Sequence, residues 1–130
     1  MATITKNMTH LDIYNAATML LENFKEDLNL PVKVNFYLQK NMTAVVDLAK
    51  EIDKARMEII QKYAEPLEEG DEQYTIKPEF VETVNSEITD LLALEQEVKV
   101  RMIALEAFDN VDLSAGQVSA IMFMIDEDEE

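Results

Sequence analysis

The chain has no cysteine and no tryptophan, one histidine, two glycines and three prolines. Without cysteine there are no disulfides and no thiolate metal sites. His10, the lone imidazole, is too little for a histidine-built metal centre or a Ser-His-Asp triad, so Ser86, Ser114 and Ser119 are expected on helix surfaces or at caps. Gly70 and Gly116 are too few and too far apart to cradle a phosphate. No apolar run reaches the length of a transmembrane helix, and the first residues lack a signal-peptide layout, so an intracellular setting and no membrane contact are expected. Basic residues are scarce as well: 11 stand against 27 acids, for a net charge of −16.

That charge is unevenly placed. Residues 1–64 carry eight bases and eight acids, whereas residues 65–130 hold Lys77, Lys99 and Arg101 against nineteen acids. A field of this sign repels phosphate backbones and anionic membranes and attracts basic protein surfaces. The plain alternative is an acidic surface that keeps the protein soluble. With so many carboxylates some pair will always lie at glycosidase spacing, so no catalytic residue, metal site or cofactor is assigned. Asn110-Val111-Asp112-Leu113-Ser114-Ala115-Gly116 has a calcium-loop flavour but places its glycine one position late and lacks the closing glutamate.

At 130 residues a single domain is expected. The fold class is mainly α with a minor β component: a long central helix in an antiparallel hairpin, two further helices and a small two-stranded antiparallel element. The long helix is predicted from Pro31 to Ala64, where Leu38, Met42, Val45, Ala49, Ile52, Arg56, Ile59 and Tyr63 alternate at four and three, a sustained heptad seam. Arg56 stands on that seam where an apolar group is expected. It either snorkels outward or pairs with a carboxylate of the acidic half. An extended start over Val32–Phe36 is the alternative to helix there. Residues 1–8 are expected as a flexible lead-in. A first helix begins near Thr9 and runs to Leu28 on Ile13, Ala17, Leu20 and Phe24. Being shorter than its neighbour, it leaves part of the seam to C-terminal elements or to a second copy.

Residues 65–73 are predicted as an acidic loop and 126–130 as an acidic tail. Pro78 opens a third helix with Phe80, Val84, Ile88, Leu91 and Leu92 inward. Glu97-Val98-Lys99-Val100-Arg101-Met102-Ile103 alternates as a strand, and the Tyr74 segment is its expected partner. Ser114 and Gln117 form a capping box for a last helix with Val118, Ile121, Met122 and Ile125 inward. On that pattern Phe123 and Met124 face solvent, and the alternative is a last helix buried all round.

Leu30-Pro31-Val32-Lys33, the run from Arg56 to Lys62-Tyr63, the Gly70 loop, Glu79-Phe80, Glu97-Val98-Lys99-Val100 and Phe123-Met124-Ile125 together resemble a family of small, functionally uncharacterised phage and prophage proteins of Gram-positive bacteria. The resemblance begins after about residue 11. It implies a viral accessory role in the cytoplasm of an infected bacterium and supplies no catalytic or binding residues. Three functions follow as expectations. The first is a non-enzymatic inhibitor of a host antiviral defence protein, imitating nucleic acid through Glu68, Glu69, Asp71, Glu72, Asp126, Glu127 and Asp128, with Phe123 and Met124 as apolar contacts. The second is an oligomeric sponge for a nucleotide signal, drawing on Lys99, Arg101 and Arg56 with help from Lys33 or Lys40. The third is an assembly or virion component held by helix contacts. The expected partner is thus a basic protein surface, or another copy through the long helix, and not nucleic acid.

Overall fold

The structure, a computed structural model, describes residues 2–25, 28–66 and 74–126. It opens on a strand where a lead-in is expected: β1 (Thr3–Thr9) alternates Ile4, Lys6 and Met8 against Thr3, Thr5 and Asn7. Lys6 is tolerated on the inner face because its ammonium donates to the Phe123 carbonyl at 2.6 Å. The Thr9 hydroxyl then accepts from the Asp12 N–H (3.1 Å) and caps α1 (His10–Asn23). This helix stops short of the expected Leu28. The Asn23 side chain donates back to the Met19 carbonyl, and the Gln117 side chain donates to the Asn23 carbonyl, so side chains take the place of another helical turn.

Pro31 precedes α2 (Val32–Tyr63), whose 32 residues span about 48 Å. Val32–Phe36 is helical, not extended. The heptad seam is the inward face: Leu38, Val45 and Ile52 are buried, and Met42, Ala49, Arg56, Ile59 and Tyr63 half-buried. The first helix packs along α2, and the third covers its later turns, where the rings of Tyr63 and Phe80 lie 5.4 Å apart.

The expected strand pairing is corrected. β2 (Ala64–Pro66) and β3 (Tyr74–Ile76) pair with each other, Ala64 opposite Ile76. Two segments so close in sequence meet at little entropic cost. After α3 (Pro78–Ala93) comes β4 (Glu95–Arg101), which pairs antiparallel with β1 along its whole length, Thr3 opposite Arg101 and Thr9 opposite Glu95. Seven residues match seven here, whereas the Tyr74 strand could cover only three. Val98 and Val100 point inward at 2% and 1% exposure, and burying each side chain contributes roughly 2 kcal/mol.

β5 (Ile103–Ala104) continues into a single turn over Leu105–Phe108, and Asn110 takes a positive φ of 67° in the bend that follows. Asparagine tolerates that conformation better than most residues. Both halves of the Ser114–Gln117 capping box are formed at the start of α4 (Ala115–Ile121). Its second residue, Gly116, lies so close to the Asn23 amide that a Cβ would collide with it. Met122–Met124 tightens into a 3₁₀ turn, and β6 (Ile125–Asp126) lies parallel to β5. One core joins the helices with β1, β4, β5 and β6, centred on Ile13, Leu20, Val45, Val100, Ile103 and Met124. Among the described residues, no helix is long and apolar enough to cross a membrane.

Candidate functional site

Of the acidic residues expected to bind a partner, Glu68, Glu69, Asp71, Glu72, Glu127 and Asp128 lie outside the described residues. Asp126 is half-buried and stands opposite Ala104 in the β5–β6 pair. The acidic surface that is described lies elsewhere. Glu79, Glu82 and Asp90 are exposed along the outer side of the third helix, and Glu95 and Glu97 are exposed on β4. Positions 79, 82, 86 and 90 share one helical face, so the three-and-four spacing could have revealed the row.

Two apolar candidates need correction. Met124 is fully buried and its sulfur accepts from the Asn41 amide at 3.3 Å; Phe123 is half-buried. The exposed groups are instead Val118 and Met122, at 45% and 60%. The tightening from α-helix to 3₁₀ turn explains the exchange. It adds rotation per residue, so Met124 swings into the core and Met122 swings out.

The three cations of the nucleotide alternative do not converge. Arg56 lies nineteen residues beyond Tyr37 on α2, about 28 Å along the axis. Arg101 instead shares a ring with another base, and a third base lies on the neighbouring ring. Its guanidinium lies 5.6 Å from the Tyr37 ring centroid, Lys33 approaches the same ring at 6.0 Å, and Lys40 sits 5.4 Å from Phe36. Such contacts favour cations electrostatically. Residues 28–46 contain no acid at all, and none of Lys33, Lys40, Lys99 and Arg101 has a carboxylate partner among the described residues. Lys99 is exposed on the same outer strand face as Arg101.

Asn41 holds this arrangement in register. It is 2% exposed, one helical turn beyond Tyr37. Its amide donates to the Arg101 carbonyl (2.9 Å) and accepts from the Arg101 N–H (2.8 Å). A side chain on α2 thereby closes the free edge of β4. Nothing in the heptad pattern announces it, because the position is polar and lies beside the apolar seam.

Arg56 neither snorkels freely nor pairs with the acidic half. It bonds Asp53 one turn earlier on its own helix, with Nε at 3.2 Å and Nη2 at 2.8 Å from the same oxygen. Beside the pair, a groove of about 290 Å³ open to solvent lies between the first three helices. Ile52, Ile88 and Leu92 line it together with Leu11, Tyr14 and Asn15.

Further along α2, Lys62 lies 5.2 Å from the Tyr63 ring centroid and 3.7 Å from Glu87 on the third helix. Hydrogen bonding to the Tyr63 side chain, and then the Glu87 carboxylate, hold the ammonium above its ordinary value of 10.5. His10 bridges the first helix and β4 through Gln96, at 3.1 Å.

Comparisons with protein-family models, curated proteins and solved structures find no match to this chain.

Proposed function

We propose that the chain is a non-enzymatic phage accessory protein that docks its acidic half onto a basic protein surface. The partner is a host antiviral defence protein whose nucleic-acid groove receives carboxylates in place of phosphates. The observation that carries this reading is the partition of charge: all of the net −16 arises from residues 65–130. Glu79, Glu82 and Asp90 support it by standing exposed in one row on a rigid helix, where a groove could meet several of them together. Electrostatic complementarity of this kind governs partner choice and association rate, and weakens with salt because exposed charges are screened over about 8 Å at physiological ionic strength.

The test is a pull-down from infected cells at low and high salt, repeated with Glu79→Gln/Glu82→Gln/Asp90→Asn. A DNA- or RNA-binding defence protein captured at low salt, and lost both at high salt and with the triple variant, supports the proposal. A partner held equally at every ionic strength defeats it. The cluster of Lys33, Lys40 and Arg101 favours a second reading, sequestration of a nucleotide signal. Calorimetry with cyclic nucleotides on the wild type and Arg101→Gln tests that reading directly.

A further inference from the structure

We propose that the outer face of α1, with the groove it forms against α2, is where a second copy of this chain docks, one α1 lying antiparallel to the other in a four-helix bundle. This goes beyond the docking of the acidic half and does not rest on it: the exposed row of Glu79, Glu82 and Asp90 lies on the far side of α3.

The first helix carries two stripes. Ile13, Ala17 and Leu20 are spent on the core. Leu11, Tyr14, Thr18 and Leu21 recur at three, four and three on the adjoining face, the spacing of a helix seam. Leu11, Tyr14 and Leu21 stand 45%, 37% and 53% exposed. A single apolar side chain in water is ordinary, whereas several at seam spacing on one helix make a contiguous contact face. The stripe borders a continuous groove. A stretch of about 210 Å³ beside Leu21 shares Tyr14 and Asp53 with the stretch of about 290 Å³ beside Arg56, and Val46 and Ala49 of α2 line the opposite wall. From Leu11 to Leu21 it runs about 15 Å. A trough between two packed helices accepts the side chains of another helix laid along it.

Shape and charge both fit this face to itself. Antiparallel pairing about a two-fold axis between Tyr14 and Thr18 sets Leu11 against the partner's Leu21, and the bulky Tyr14 ring against the partner's small Thr18. The Thr18 hydroxyl already donates to the Tyr14 carbonyl at 2.9 Å, so covering it orphans no donor. In a chain of net charge −16, the charged residues lining the groove are two bases, Lys50 and Arg56, and one acid, Asp53. Two copies therefore meet there without setting acid against acid. Tyr14 and Asp53 lie at one level of the groove, and Leu21 and Val46 further along it, so the same axis brings Lys50 level with the partner's Asp53. Opposite charges at matched positions fix the register of such a contact. Lys50 has no carboxylate partner among the described residues of its own chain. The chain has little else to cover the stripe with: residues 26–27, 67–73 and 127–130, which lie outside the described residues, contain Leu67 as their one apolar side chain.

The test is sedimentation equilibrium of the full chain over a wide range of concentration, at about 0.1 M and about 1 M salt. A monomer–dimer equilibrium is expected at both, because the contact is mainly apolar. Leu21→Arg, an exposed change that leaves the fold intact by circular dichroism, should raise the dissociation constant about a hundredfold or more, since the dimer loses two buried leucines. Lys50→Asp should weaken the dimer about fivefold at low salt, and Lys50→Asp/Asp53→Lys should restore it. The proposal is overturned if the chain stays monomeric throughout. It is overturned equally by species that grow beyond the dimer and vanish at high salt, which would mean head-to-tail contact between acidic and basic faces, and by a dimer indifferent to Leu21→Arg or to Lys50→Asp.

Discussion

Asn41 is where a single side chain can be asked to answer for the junction between helix and ribbon. In the β1–β4 ladder the Met102 N–H donates to the Ala2 carbonyl at 2.8 Å, so the neighbouring Arg101 points its own N–H and carbonyl away from β1. Among the described residues only the Asn41 amide meets them, at 2.8 and 2.9 Å. Asn41→Ala orphans both groups at once. Each unsatisfied buried polar group costs about 1–3 kcal/mol, and since Arg101 is half-buried the lower part of that range applies to each. Adding the lost contact with Met124, the expected destabilisation is about 3 kcal/mol, which for a chain of this length lowers Tm by roughly 10 °C. Urea and thermal unfolding followed by circular dichroism measure it, and hydrogen exchange should show the Arg101 amide losing protection. Asn41→Asp sharpens the test. The introduced carboxylate still accepts from the Arg101 N–H but faces its carbonyl, so burial and repulsion raise its pKa above the unfolded value. The deficit relative to wild type is therefore full at neutral pH and shrinks as pH falls and the carboxyl becomes a donor. Asn35→Ala, exposed on the same helix, should stay within about 0.5 kcal/mol. A loss below about 1 kcal/mol for Asn41→Ala would mean that water serves the strand edge equally well, and the reasoning would fail.

Other measurements bear on separate parts of the fold. Met124→Ala should cost about 2–5 kcal/mol, whereas Met122→Ala should cost little, which reverses the ranking that the helical stripe alone implies. In Gly116→Ala the new methyl must push the Asn23 amide off the Met19 carbonyl, so equilibrium unfolding should show a net loss despite the better helix propensity of alanine. The raised Lys62 pKa, owed first to the Tyr63 side chain and then to Glu87, makes its stabilisation full below 10.5 and fading as pH rises through the higher folded value; Lys62→Met should remove that alkaline slope from a stability–pH profile. Removing residues 1–9 strips β4 of its whole ladder and should abolish cooperative unfolding, an outcome that a flexible lead-in would not produce.

Periodicity alone determined the elements whose instructions are local. Leu38, Val45 and Ile52 repeat at helical spacing, and Val98 and Val100 at strand spacing, so each segment carries its own inward face before it meets anything. Ser114 and Gln117 satisfy each other within one turn, and the acid row on the third helix follows from the same arithmetic. The pairing of Arg56 with Asp53 spans a single turn, yet the expectation for Arg56 looked outward to solvent or to the acidic half and missed it. What joins distant segments belongs to the tertiary structure. β1 reads as polar because its inner face includes Lys6, and that lysine becomes acceptable only when the Phe123 carbonyl, 117 residues away, takes its proton donors. Arg101 reaches the Tyr37 ring because Asn41 pins a strand edge to a helix 60 positions earlier. Sequence spacing encodes which way a residue points along its own element; which backbone edge or carbonyl it will find there depends on loop closure and packing across the whole chain.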